Sequence, residues 1–160
     1  MSTPRIYVET SVISYLTARS SRDLLVAARQ EATREWWDLR DTLFKPLISK
    51  LVLQEISAGD SVAAYNRLQI CQSLPLLAIE ENCLSLAKEL IAVNAVPATE
   101  QEDALHIALA TLSKVDFIAT WNFSHFVGPV TKFRLQTQIQ NMGFSPPILA
   151  TPEELLEILS

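Results

Sequence analysis

Residues 97–126 read PATEQEDALHIALATLSKVDFIATWNFSHF, an apolar helix running directly into a β-rich segment. Thr99 and Glu102 have the T-x-x-E spacing of a capping box, which predicts a helix beginning at Thr99. Asp103 and His106 then share one face at i and i+3. Their neighbours Ala104, Leu105, Ile107, Ala108 and Leu109 are too apolar for a solvent-exposed helix. VDFIAT reads as a strand, followed at once by Trp121, Asn122 and Phe123. Open α/β sheets keep their ligands just beyond the carboxyl ends of their strands, so an acid opening the preceding helix points to a metal.

Outward from this segment, strand and helix patterns alternate. Arg5 to Val8 is a short apolar strand, Glu9 follows it, and TSVISYL (residues 10–16) reads as a helix capped by Thr10 or Ser11. A helix is expected from about Arg22 to Leu39, then a strand from Leu43 to Ser49 whose Pro46 suggests an edge or an interruption. Leu51–Ile56 and Val62–Cys71 read as helices parted by Gly59-Asp60, Leu74–Ile79 as a strand and Cys83–Val93 as a helix. Val130–Met142 is a helix ending at Gly143, and Pro147–Ala150 a last strand before Thr151-Pro-Glu-Glu opens a terminal helix. Strands separated by helices imply an α/β fold, a mostly parallel central sheet with helices on both faces.

The 160 residues suit one domain, 1–160, with a single core, and 49% hydrophobic with 19% charged residues is the composition of a compact chain. No stretch approaches the ~20 apolar residues of a membrane span. MSTPRIYVE has no apolar signal region, so a cytoplasmic location is expected and no membrane partner. Cys71 and Cys83 lack any ligand spacing and read as reduced, packed thiols, which argues against zinc. The net charge of −5 argues against broad electrostatic binding of nucleic acid, although residues 117–152 contain no Asp or Glu and carry His125, Lys132 and Arg134. With only Gly59, Gly128 and Gly143, neither a G-x-G-x-x-G nor a P-loop exists.

Carboxylates remain as the chemistry-bearing groups: Glu9 after the first strand, Glu55 on the helix after the second, Asp103, and Asp116 at the start of the strand leading to Asn122. Such acids converge only if the sheet brings those ends together, and in a partly buried cleft they would protonate unless a cation joined them. Magnesium, with its oxygen ligands and retained waters, suits that task and could serve phosphodiester cleavage. Each acid has a plainer account. Glu9 suits a helix start, Glu55 an exposed helix face and Asp116 the loop before its strand. His106 reads as a satisfied helix histidine beside the site rather than a ligand, and Trp121 as packing rather than a base-stacking platform.

In order, YVETSVISYL, LVLQEIS, DALHIALA and DFIATWNFSHF resemble the successive motifs of the PIN-domain ribonucleases, especially the VapC-like toxins of type II toxin–antitoxin pairs. The resemblance covers nearly the whole chain. It implies a PIN-like α/β/α domain, a Mg²⁺ or Mn²⁺ site made of acids, cleavage of RNA, a cognate antitoxin protein as partner and a homodimer. By position, Glu9, Glu55 and Asp103 match the family's first three acids. Two departures stand out: the first acid is Glu9 where Asp is usual, and Asn122 and His125 occupy the places where the fourth acid would stand. They are compatible with one metal and count against a second.

The resulting expectation is a Mg²⁺- or Mn²⁺-dependent endoribonuclease. Glu9, Glu55 and Asp103 would be catalytic metal ligands, Asp116 a further possible ligand, and Asn122 a group that positions substrate or water. Trp36 and Trp37, expected to be exposed, would offer the antitoxin a groove. The principal rival is a degenerate PIN module that binds RNA or a protein without cutting, which the missing fourth acid favours. A plain phosphate binder is disfavoured by the lack of a Gly-rich loop.

Overall fold

The computed structural model describes residues 2–122, 126 and 128–159. Five strands, β1 (Arg5–Val8), β2 (Lys45–Ser49), β3 (Leu76–Leu77), β4 (Phe117–Ala119) and β5 (Ile148–Ala150), form one parallel sheet in the order β3-β2-β1-β4-β5. The helices are α1 (Thr10–Thr17), α2 (Leu24–Leu43), α3 (Lys50–Ile56), α4 (Ser61–Cys71), α5 (Glu81–Ala92), α6 (Gln101–Leu112), α7 (Pro129–Asn141) and α8 (Pro152–Leu155), the last followed by a 3₁₀ turn, Leu156–Leu159.

Central β1 explains the layering. Ile6, Tyr7 and Val8 are all fully buried, and because successive strand residues point to opposite faces, both faces of the sheet must be covered. On α6, Ala104 and every residue from His106 to Thr111 are buried, matching the apolar run read from the sequence. The chain builds outward from β1 through β2 to β3, then returns to the other side of β1 with β4 and β5. The strand order therefore reverses between β1 and β4, and the crevice at their carboxyl ends is where such sheets place a ligand.

Several local expectations are corrected. Helix α6 begins at Gln101, not Thr99: Glu100 N–H closes a turn on the Pro97 carbonyl at 2.9 Å, and Glu100 caps the helix without a side-chain bond. The turn takes up the residues that would have formed the capping box and moves Asp103 into the first helical turn, where its charge suits the helix dipole. Helix α1 is capped by Glu9 rather than by Thr10 or Ser11. Strand β2 is interior, between β1 and β3, despite Pro46. Lys45 N–H points to β1 and Ile48 N–H to the β3 side, so by alternation the N–H that Pro46 lacks would face β3. Paired only at Ile48 and Ser49, β3 does not extend as far as Pro46, and no ladder bond is lost. Strand β3 itself is two residues long, shorter than Leu74–Ile79.

At the other end of the chain the expectations hold. Gly143 follows the last turn of α7 at φ +90°, and Thr151 and Glu154 make both bonds of a capping box. Thr151→Ala should therefore cost about 1 kcal/mol in urea unfolding. Exposed Thr99, which caps nothing, should change stability by less than about 0.5 kcal/mol when replaced by Ala. Equal losses for the two variants would restore Thr99 as the start of α6.

Candidate active site

Glu9 leaves β1 at the strand-order reversal and is 4% exposed. Its backbone N–H extends the sheet to the Ala119 carbonyl at 3.0 Å, and its carboxylate turns back to accept the Ser11 N–H. The other oxygen, Oε1, accepts the Thr120 hydroxyl across the crevice at 3.0 Å. Thr120 Oγ1 in turn accepts Asn122 N–H at 3.0 Å, while Ser11 Oγ accepts Trp121 N–H at 2.8 Å. One carboxylate thus ties the start of α1 to the segment carrying Asn122.

Glu55 lies at the same end of the sheet, on α3 behind β2. Its Oε1 accepts the Thr10 hydroxyl at 2.5 Å and pairs with His106 Nε2 at 2.6 Å. Burial alone would raise the Glu55 pKa. The hydrogen bond and charge of His106, with the Thr10 hydroxyl, outweigh it and hold the carboxyl below its ordinary value of 4.5. Oε2 has no hydrogen bond to the described residues.

Behind Glu55 a polar chain enters the core. His106, 2% exposed, pairs through Nδ1 with the Tyr7 hydroxyl at 2.6 Å, and that hydroxyl pairs with Ser49 Oγ at 2.8 Å. The Tyr7 and His106 rings meet edge-on with centroids 5.7 Å apart. Burial, against the Ser49 hydrogen bond and with added repulsion from Glu9 and Glu55, drives the Tyr7 pKa far upward, so the group stays a phenol. His106 is therefore a satisfied histidine beside the site, as its place on α6 suggested. Tyr7, Ser49, Thr10 and Thr120 had no site role in the sequence reading. A tyrosine inside the apolar RIYV strand was the one available signal, since a buried phenol needs a partner.

Asp103 stands one turn before His106 and, with Glu100, Thr131 and Arg134, lines a small cavity of about 120 Å³. Asp116 stands apart from Glu9 and Glu55. It precedes β4 and accepts Arg5 N–H at 2.8 Å, at the amino end of the sheet, roughly four residues or ~13 Å along the strand direction from Glu9. A bond to the start of β1 is what that position offers, not metal ligation. His125 lies outside the described residues, and Asn122 is half-buried just past β4. Trp121 is packing: its ring stacks on Tyr15 and its Nε1–H donates to Thr33 at 2.8 Å.

Trp36 and Trp37 are not an exposed pair. Trp36 is fully buried against Phe44, and Trp37 is half-buried under Arg40, whose guanidinium carbon lies 3.9 Å from the ring centroid. The exposed large apolar residues of α2 are Leu24 and Leu25, at its start. A 20-residue helix can present either of two faces, and here the tryptophans take the covered one.

Among the described residues, no three Asp, Glu, His or Cys side chains gather into a group able to enclose a metal ion. The available donors are carboxylate oxygens, with Oε2 of Glu55 uncommitted. Such a set fits a hard ion such as Mg²⁺ or Mn²⁺, which takes one or two carboxylates and keeps its waters, rather than zinc or a closed protein cage. Both cysteines are buried and free. Among the described residues no helix is long and apolar enough to cross a membrane.

No protein-family profile matches the sequence, and no curated protein does. Among solved structures, the chain is similar to one in the crystal structure of VapBC2 from Rickettsia felis bound to a DNA fragment from their promoter. The TM-score is 0.59 over 91% of this chain and 97% of that one, with 14% identity. A match of this kind establishes architecture: five parallel strands flanked by helices, in a PIN-like fold.

Proposed function

We propose that this chain is a VapC-like endoribonuclease that hydrolyses RNA phosphodiester bonds with the help of Mg²⁺ or Mn²⁺ and is restrained by a cognate antitoxin protein. The observation that carries this proposal is the half-buried Glu55 carboxylate, anchored through one oxygen and open at the other, at the carboxyl end of a PIN-type sheet. Glu9, Glu55 and Asp103 would hold the ion, directly or through water. When bound, it would supply positive charge for the scissile phosphate and acidify an attacking water.

The remaining chemistry belongs to the chain. Thr10 and His106 keep Glu55 ionised and fixed. Glu9 and Thr120 hold the backbone of Asn122 at the crevice, from which its side-chain amide would donate to a phosphate oxygen. Arg134, on the helix bordering Asp103, would meet the RNA backbone in a stretch free of acids. Lys132 on the same helix is partly engaged by Glu154 at 3.7 Å. The antitoxin and a homodimeric state are proposed from the likeness to VapC-type proteins. A non-catalytic PIN module is the second reading, favoured by the engagement of both Glu9 oxygens inside the protein.

Metal binding separates the two. With Mn²⁺ at 100 times its Kd the fold should gain roughly 2.7 kcal/mol over the protein in EDTA. Thermal melts in EDTA and in millimolar Mn²⁺ that superimpose would favour the non-catalytic module. Glu55→Gln and Asp103→Asn should each abolish cleavage of a single-stranded RNA while leaving the circular dichroism of the fold intact. Cleavage at the parent rate by Asp103→Asn would return Asp103 to a structural role.

Asn122 distinguishes substrate positioning from a lost ligand. If its amide meets a phosphate, Asn122→Asp sets a negative charge against that phosphate and slows cleavage at saturating Mn²⁺, and Asn122→Ala slows it as well. An aspartate variant faster than the parent would instead identify position 122 as a vacated ligand site.

A further inference from the structure

Both nitrogens of His106 are taken, and the order in which its partners donate can be worked out. Glu55 is a carboxylate and has no hydrogen to give, so Nε2 of His106 must carry the proton shared with Oε1 at 2.6 Å. In the uncharged ring Nδ1 is then an acceptor, and the Tyr7 hydroxyl 2.6 Å away donates to it. The Tyr7 oxygen is left to accept from Ser49 Oγ at 2.8 Å, while Ser49 Oγ accepts Val52 N–H at 3.3 Å as the cap of α3. Every hydroxyl and ring nitrogen is satisfied once and in one direction, Ser49 to Tyr7 to His106 to Glu55. The four residues come from β2, β1, α6 and α3, and three of them are buried.

We infer that Ser49 and Tyr7, acting through His106, are positioning residues for Glu55. They hold the imidazole in the orientation that points Nε2–H at Oε1, so that Oε1 always meets a donor and Oε2 stays available to a hard divalent cation. Without the Tyr7 hydroxyl the carboxylate still draws the proton to Nε2, but the ring loses the bond at Nδ1 that fixes its rotation. A ring free to turn no longer holds Glu55 in one position. Partners of this kind set the orientation of a ligand they never share with the ion. The cation's identity rests on the nuclease proposal above; the direction of the hydrogen bonds does not.

The experiment compares the parent with Tyr7→Phe, Ser49→Ala, His106→Gln and His106→Leu. Free Mn²⁺ is titrated by electron paramagnetic resonance, and the ¹⁵N imidazole shifts are read in metal-free protein. The chain has only two histidines, His106 and His125, which keeps the spectrum simple. Expected are a proton on Nε2 of His106 in the parent and in Tyr7→Phe, and Mn²⁺ affinity roughly 10- to 100-fold weaker in Tyr7→Phe and His106→Leu. His106→Gln, whose amide N–H can still reach Glu55, should keep most of the affinity. Ser49→Ala, the gentler change, should weaken binding in the same direction as Tyr7→Phe. An Nδ1–H tautomer in the parent overturns the inference, as does a folded Tyr7→Phe or Ser49→Ala that binds Mn²⁺ as the parent does. If the parent binds no Mn²⁺, the nuclease proposal fails and the positioning role fails with it. Parent binding with indifferent variants fails the inference alone.

Discussion

The buried carboxylate of Glu9 is the constraint on which the rest of the crevice depends. A charge with 4% exposure is tolerated only when its hydrogen-bonding capacity is met, and here the donors are Ser11 N–H on its own helix and the Thr120 hydroxyl beyond β4. Those donors belong to the two strand ends between which the sheet order reverses, so satisfying the charge closes the fold at that point. The N-terminus of α1 adds its dipole. Thr120 then passes the restraint on to Asn122, and the same turn directs the Thr10 hydroxyl toward Glu55.

Glu9 and Glu55 solve the same problem in different ways. Glu9 is held by one backbone donor and one hydroxyl, with each oxygen engaged. Glu55 is held by a hydroxyl and an imidazole on a single oxygen, which keeps it charged against the cost of burial and leaves the other oxygen open. The first arrangement brackets the crevice and leaves Glu9 only its remaining lone pairs for an ion. The second suits a ligand, because a carboxylate presented to an ion needs a fixed orientation and a free lone pair together.

Elements whose signals reinforce one another were legible in the sequence. RIYV and DFIAT read as buried strands, the DALHIALA run as a buried helix, and Gly143 and Thr151-Pro-Glu-Glu marked helix ends that the structure contains. Errors arose where two local options compete. Thr99 lost its cap to a turn on Pro97, Thr10 gave up capping to bond Glu55, and Pro46 sits in an interior strand beside a neighbour too short to need its N–H. At the site, Glu9, Glu55 and Asp103 were legible as acids in order along the chain. Tyr7, Ser49 and Thr120 were not, because no spacing links positions 7, 49 and 106, and hydroxyls are common in strands and turns. The exposure assigned to Trp36 failed because adjacent tryptophans on a long helix do not reveal which face the core will cover.

The presence of glutamate rather than aspartate at position 9 has a consequence for charge in the crevice. The extra methylene lets one side chain reach back to Ser11 and across to Thr120 at once, a span a shorter carboxylate would have difficulty covering from the same backbone position. Position 122 is a neutral amide, and Asp116 is drawn to the far end of the sheet by Arg5. The acids left at the carboxyl end are therefore few, and the one most tightly buried has its repulsion answered by hydrogen bonds rather than by an ion. A crevice assembled in this way can fold before any cation arrives. Carboxylates individually satisfied by Thr10, His106, Ser11 and Thr120 have their burial answered within the fold, and under the proposed function a cation's charge would be left for the phosphate it meets.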